Sequence, residues 1–196
     1  MTQFRELTRA DIVPLEQYER DRRAHRQRIT ALKQNRRVEV GPSATFYFEN
    51  FDTMWHQVHE MLVVERGGEA QIADELAAYN PLIPKGNELI ATVMFEIDDP
   101  VQRARTLGQL GGVENRMYIA FAGEKIVGEA DPTRENTSPE GKASSVQFMR
   151  FPFSRPQKDK FRAPGARVEV GIEHPNYHHI AVLSDAVRQA LAGDLG

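Results

Sequence analysis

Two histidines, His56 and His59, stand three residues apart between two carboxylates, Asp52 and Glu60, in the run F-E-N-F-D-T-M-W-H-Q-V-H-E-M-L (residues 48–62). Neutral imidazoles one helical turn apart with a carboxylate beside them can ligate Zn²⁺ or Fe²⁺. The order is H-x-x-H-E and not H-E-x-x-H, so the mechanism of the zinc peptidases does not carry over. A second group, Glu173-His-Pro-Asn-Tyr-His-His179, holds His174 extended before Pro175 at a strand end. Glu49 and Glu96 lie on strand faces, where burial would make them acids or metal ligands. Each group also has a plain reading. Asp52 falls in a first helical turn, where the helix dipole favours an acid. His56 and His59 then sit solvated on a helix flank, replaceable by glutamine at little cost to folding. His174 lies in a turn with exposed rings, and the two glutamates are exposed or paired with Arg150 or Arg116. A tetrahedral site usually takes three or four protein ligands, so the histidine pair alone does not make a catalytic site. Any missing ligand would come from Glu49 or His174.

These residues need a scaffold. Between residues 51 and 65 the apolar side chains Phe51, Met54, Trp55, Val58, Met61 and Leu62 form one arc at about 100° per residue, which predicts a core helix over 51–66 stopped by Gly67-Gly68. Asp52, His56 and His59 share one flank of it, with Glu60 further round. The motif Thr8-x-x-Asp11 opens a basic helix over about 9–35. A second helix is predicted over 69–79, and shorter ones over 101–110, 156–162 and from Ser184 to about Leu195. Strands are read at 38–40, 45–49, 89–97, 116–122, 125–128, 145–153, 168–172 and 178–183. The strand 89–97 is apolar on both faces and is therefore central. Residues 116–128 make a hairpin around Gly123-Glu124. Residues 129–143, polar and rich in Pro, Gly, Ser and Thr, form a mobile loop. Helices and strands do not alternate as βαβ. The fold class expected is α+β, a mostly antiparallel sheet with helices packed mainly on one face, in a single domain over 1–196.

Composition narrows the chemistry. There is no cysteine, which excludes disulfides, thiol nucleophiles, zinc–thiolate sites and a cysteine-held iron–sulfur cluster. No apolar run reaches the roughly 18–20 residues that a spanning helix needs, and the N-terminal residues lack an apolar signal region. A cytoplasmic setting without membrane contact is expected. No phosphate-binding glycine loop and no G-x-S-x-G elbow is present. The net charge of −3 conceals a split: residues 1–37 hold ten Lys/Arg and five Asp/Glu, and the remainder fifteen and twenty-three. From Arg20 to Arg37 eight cations accompany one acid, without interleaved aromatics.

Several runs are family-like. L-T-R-A-D-I-V-P-L-E-Q-Y-E (7–19), the 48–62 run, E-L-A-A-Y-N-P-L-I-P (75–84), S-S-V-Q-F-M-R-F (144–151) and H-P-N-Y (174–177) resemble a bacterial family known as a domain of unknown function. Its genes neighbour those for rubrerythrin and an iron–sulfur oxidoreductase. The resemblance covers essentially the whole chain. It implies one domain and a role near non-haem iron and peroxide metabolism, with rubrerythrin or the iron–sulfur oxidoreductase as partner. The family pattern resembles F-E-x-R-D-T-x-x-x-Q-x-x-E-M-L. It matches Glu49, Asp52, Gln57 and Glu60, has Phe51 in place of its arginine, and leaves His56 and His59 outside. The resemblance therefore points to carboxylates, with His174 and Tyr177 as contributors, more than to the histidine pair.

Three functional expectations stand together. One is an accessory or metal-handling component of a rubrerythrin-linked redox system, its metal (zinc or iron) drawn from Glu49, Asp52, His56, His59, Glu60 and His174. The next is a small-molecule binder or enzyme built on a pocket of carboxylates and histidine. The last is a nucleic-acid-binding protein using residues 20–37. The acidic remainder, or another copy of the chain in a homo-oligomer, is a ready partner for the basic helix, so nucleic acid is not expected to bind. An anisotropy titration should show no salt-sensitive micromolar binding to DNA or RNA. Binding of that kind, lost in an Arg22→Glu, Arg26→Glu variant, would reverse this.

Overall fold

Leu89, Ala91, Val93 and Phe95 alternate along one strand with Ile90, Thr92 and Met94. Both sets need cover, and the architecture follows from that. The computed structural model describes residues 4–196; residues 1–3, part of the expected domain, lie outside the described residues. In chain order the elements are α1 (Leu15–Lys33), β1 (Arg37–Val40), β2 (Ala44–Phe48), α2 (Phe51–Glu65), α3 (Glu69–Tyr79), β3 (Glu88–Phe95), α4 (Pro100–Leu107), β4 (Met117–Phe121), β5 (Glu124–Val127), β6 (Glu129–Ala130), β7 (Val146–Pro152), α5 (Arg155–Arg162), β8 (Val168–His174), β9 (Tyr177–Val182) and α6 (Asp185–Ala192). The fold is α+β, and every strand pair within its sheets is antiparallel. The strands divide into two sheets, ordered β1-β2-β3-β7-β6 and β5-β4-β8-β9, where the pattern alone suggested one.

β3 is the middle strand of the first sheet. Its Leu89, Ala91, Val93 and Phe95 face the second sheet and join Phe46, Phe48, Ile119, Val170 and Phe151 in the larger core. Ile90 faces the other way, into a smaller core with Met54, Val58 and Leu62 of α2, Ile72 of α3, and Leu82. Thus α2 and α3 cover the outer face of the first sheet, and α1 packs on α2 as a further layer. Leu107, Phe161, Val187 and Leu191 bring α4, α5 and α6 to the core between the sheets.

The chain passes from one sheet to the other at Gly128. A Cβ there would lie 2.8 Å from the Phe151 ring, so only glycine lets β5 run on into β6. The preceding hairpin turns at Ala122 and Gly123, with φ of 45° and 77°, the paired positive values of a tight type I′ connection. On the opposite side the Tyr177 hydroxyl accepts from Ser43 N and Ala44 N, both at 2.9 Å, and donates to Val40 O at 2.7 Å. It pins β9 to the β1–β2 turn.

The basic helix starts later than expected. Thr8 and Asp11 do form a capping box, but on a 3-10 turn, Arg9–Asp11. Pro14 is extended (ψ 137°) and disfavours helix at Val13, so α1 begins at Leu15. The segment 129–143 begins as β6. It is tied by Thr137, which donates to Glu114 at 2.8 Å, and by Asn136, which donates to Asp131 O at 2.9 Å. No helix among the described residues is long and apolar enough to cross a membrane.

One ion pair is buried deeply. Arg36, just after α1, meets Asp194 at 2.6 and 2.8 Å, with side chains 5% and 1% exposed. Removing one partner strands the other charge. Asp194→Asn should therefore lower stability by about 3–5 kcal/mol in urea titrations. Asp52→Asn, which breaks the exposed pair with Arg28, should cost at most about 1 kcal/mol. Equal effects would show that the first pair is not desolvated.

Candidate functional site

Helix α2 is entered directly from β2. Asn50 caps it by accepting from Thr53 N at 3.0 Å, and the Thr53 hydroxyl answers the Asn50 backbone. The apolar arc of the helix lies on the first sheet. Two polar rows run beside it, the second begun by Glu49 just before the helix. Asp52, His56 and Glu60 face α1. Glu49, Thr53 and Gln57 face the sheet.

The first row joins the helices. Asp52 pairs with Arg28 at 2.8 Å. Glu60 takes a forked bond from Arg22 (3.0 and 2.7 Å) and one from Arg26 (2.9 Å). The Tyr18 hydroxyl donates to Glu60 at 3.0 Å and sits 2.7 Å from His56 Nδ1, so that nitrogen carries its proton and donates to the phenol oxygen. The Arg22 guanidinium holds the Glu60 carboxyl well below the usual carboxylate range. Burial first, then Glu60, raises the Tyr18 phenol. Burial pushes the His56 imidazole down from 6.5 to about 4. These groups form a structural seam: a neutral histidine, a neutral phenol and a carboxylate held by arginines.

His59 departs from expectation. It is fully buried, and not solvated on a flank. Val13 N donates to its Nε2 at 3.2 Å, so its Nδ1 carries the proton and donates to Trp55 O at 2.7 Å. Its ring lies 4.6 Å from Tyr18 and 4.1 Å from Trp55. Replacing it by glutamine would disturb a packed seam. His174 ends β8 in the second sheet, near Gly111 O (3.2 Å) and bonded from Asn176 N (3.2 Å). The first sheet stands between it and α2, so the two histidine groups do not meet. Tyr177 is committed to the β1–β2 turn.

The donors do not fit a divalent metal. Both nitrogens of His59 and of His174 are engaged, Asp52 and Glu60 are held by arginine, and His56 has one ring nitrogen to spare. Among the described residues no group of three or more His, Asp or Glu is placed to hold an ion. The basic helix is largely engaged as well: Arg22, Arg26 and Arg28 meet Glu60 and Asp52, Arg36 meets Asp194, and Arg37 meets Glu39.

The second row opens on a pocket of about 260 Å³ between α2 and the outer face of the first sheet. Its floor is the cross-strand row Tyr47, Thr92 and Phe148. Met54 and Gln57 of α2, with Tyr79 of α3, roof it, and Lys33 of α1 stands at its edge. Glu49 is 7% exposed. Its carboxylate accepts from the Thr53 hydroxyl at 2.7 Å and the Thr92 hydroxyl at 2.8 Å. It makes no ion pair among the described residues. Glu96, the other strand glutamate, is outside the pocket and is held by Thr45 (2.6 Å) and Tyr47 (2.8 Å). The sequence pointed to Glu49 and Gln57. It gave no sign of Lys33, Thr92 or Phe148, which reach the pocket from distant segments.

The family described as Protein of unknown function (DUF3501) matches residues 6–195, and the chain belongs to it. The chain is also similar to the crystal structure of a protein of unknown function from Burkholderia pseudomallei K96243. They share 36% identity over 98% of this chain and 100% of that one, with a TM-score of 0.90. No curated protein matches.

The seam makes stability pH-dependent. An unfolded His56 takes up a proton as pH falls through its ordinary value of 6.5, while the folded one resists until about 4. Stability is therefore full above 6.5 and is lost as pH falls from there to about 4, by on the order of 2–3 kcal/mol. Urea titrations at pH 7.5 and 4.5 should show this loss, reduced in His56→Gln, whose amide can still donate to Tyr18. An unchanged loss in the variant would remove His56 as its source.

Proposed function

We propose that this member of the family binds a small organic molecule in the pocket beneath α2, with Glu49 as its anchor. One observation carries the reading: a carboxylate buried to 7% exposure faces a pocket without a cationic partner among the described residues. A buried charge is costly unless it is paired and hydrogen-bonded. Two threonine hydroxyls supply part of the hydrogen bonding, and each carboxylate oxygen keeps a lone pair for a further donor. A ligand nitrogen would supply both bond and charge. Apolar walls with a few converging polar groups are the usual make-up of such sites.

An accessory role beside rubrerythrin or an iron–sulfur oxidoreductase would then act through the ligand held here. Without cysteine the chain offers no thiolate to a cluster.

Neutralising an anchor of this kind should stabilise the ligand-free protein while removing binding. Glu49→Gln is expected to raise the melting temperature by about 2–4 °C for each kcal/mol of relieved charge burial. In ligand-observed NMR, small amines should bind the parent and lose affinity at least tenfold in the variant. A clear fall in melting temperature, with amine binding absent from both proteins, would make Glu49 a structural residue.

A further inference from the structure

The pocket contains a second uncompensated charge. Of its lining residues only Glu49 and Lys33 are ionic, and the two do not pair with each other. On α1, Arg22, Arg26 and Arg28 each reach a carboxylate; Arg20, Arg23 and Lys33 do not, and of these three Lys33 alone is half-buried and lines this pocket. Lys33 is half-buried, its stem leaves the last turn of α1, and its amine makes no hydrogen bond or ion pair among the described residues. One cavity is thus lined by both an anion and a cation that do not pair.

We propose, resting on the binding reading above, that the ligand is an organic zwitterion: an ammonium nitrogen against Glu49 and a carboxylate or phosphate at Lys33. A plain amine satisfies Glu49 and leaves Lys33 with water alone. A plain acid meets Lys33 and is repelled by Glu49. A molecule carrying both charges answers both, in a partly desolvated site where each contact is stronger than in bulk water. The body between the charges is flat or unbranched. It packs against the lining side chains of Tyr47, Phe148, Met54 and Met94. A volume of about 260 Å³ suits a small ligand.

Isothermal titration of the full chain tests this with 6-aminohexanoate, 4-(aminomethyl)benzoate and O-phosphoethanolamine. The halves hexylamine, benzylamine, ethanolamine, hexanoate, benzoate and inorganic phosphate are titrated beside them. At least one zwitterion is expected to bind tenfold or more tighter than either of its halves. Glu49→Gln and Lys33→Met should each reduce it to the level of a half, and Lys33→Arg should retain it. Whether O-phosphoethanolamine or the carboxylates bind tighter identifies the group at Lys33. Amines that bind as tightly as zwitterions, without effect of Lys33→Met, overturn the zwitterion and leave the pocket reading intact. Absence of binding by every probe overturns both.

Discussion

The first sheet carries apolar side chains on both faces, and neither can be left in water. On one side Leu89, Ala91, Val93 and Phe95 are covered by the second sheet, and on the other Ile90 is covered by α2 and α3. At roughly 25 cal/mol per Å² of buried apolar area, these two covers dominate the drive to fold. The rest of the design serves them. Gly128 lets the chain cross between sheets, and the Tyr177 hydroxyl fastens the far side. The cover on the outer face ends before the sheet does. Met94 is 36% exposed, and the strip between it and α2 is where the pocket lies.

Helix α2 meets three neighbours with one stretch of sequence, because 3.6 residues per turn divide it into three stripes. Met54, Val58 and Leu62 lie on the sheet. Asp52, His56 and Glu60 face α1. Glu49 and the first two turns of the remaining stripe face the pocket. The Arg22–Glu60–Tyr18 bonds resist separation of α2 from α1 and so help fix the position of the helix that roofs the pocket. His59 belongs to this role: it is a buried spacer between Tyr18 and Trp55 with both nitrogens satisfied.

Much of the scaffold was legible because its signals are local. Alternating apolar residues on both faces marked β3 as central, and Gly123 marked the hairpin. The apolar arc from Phe51 to Leu62 set α2. What was illegible depends on distant partners. The Thr8–Asp11 box has the same letters whether it caps an α-helix or a 3-10 turn, and Pro14 decided the matter. His59 read as a flank residue because its cover, Val13 and Tyr18, comes from more than forty residues away. The division into two sheets turns on one close contact at Gly128. The carboxylate emphasis of the family pattern included Glu49. It could not separate that residue from Asp52 and Glu60, which arginines neutralise.

Lining one pocket with opposite charges that do not pair is what sets Glu49 and Lys33 apart. Buried Glu75 and Glu88 also lack a cation among the described residues, while other buried charges have counter-groups. Arg36 has Asp194, Lys158 has three oxygens (Gly86 O, Asn87 Oδ1 and Gly196 O), and Arg188 spans the carbonyls that end α5. Leaving a buried ion half-satisfied costs stability, and mutual pairing would have been the simple remedy for two opposite charges lining one pocket. Two threonine hydroxyls keep Glu49 in place without neutralising it. Glu49 and Lys33 differ from the other unpaired charges in facing a shared cavity. In the binding reading proposed above, the groups missing from this cavity are those a bound molecule brings.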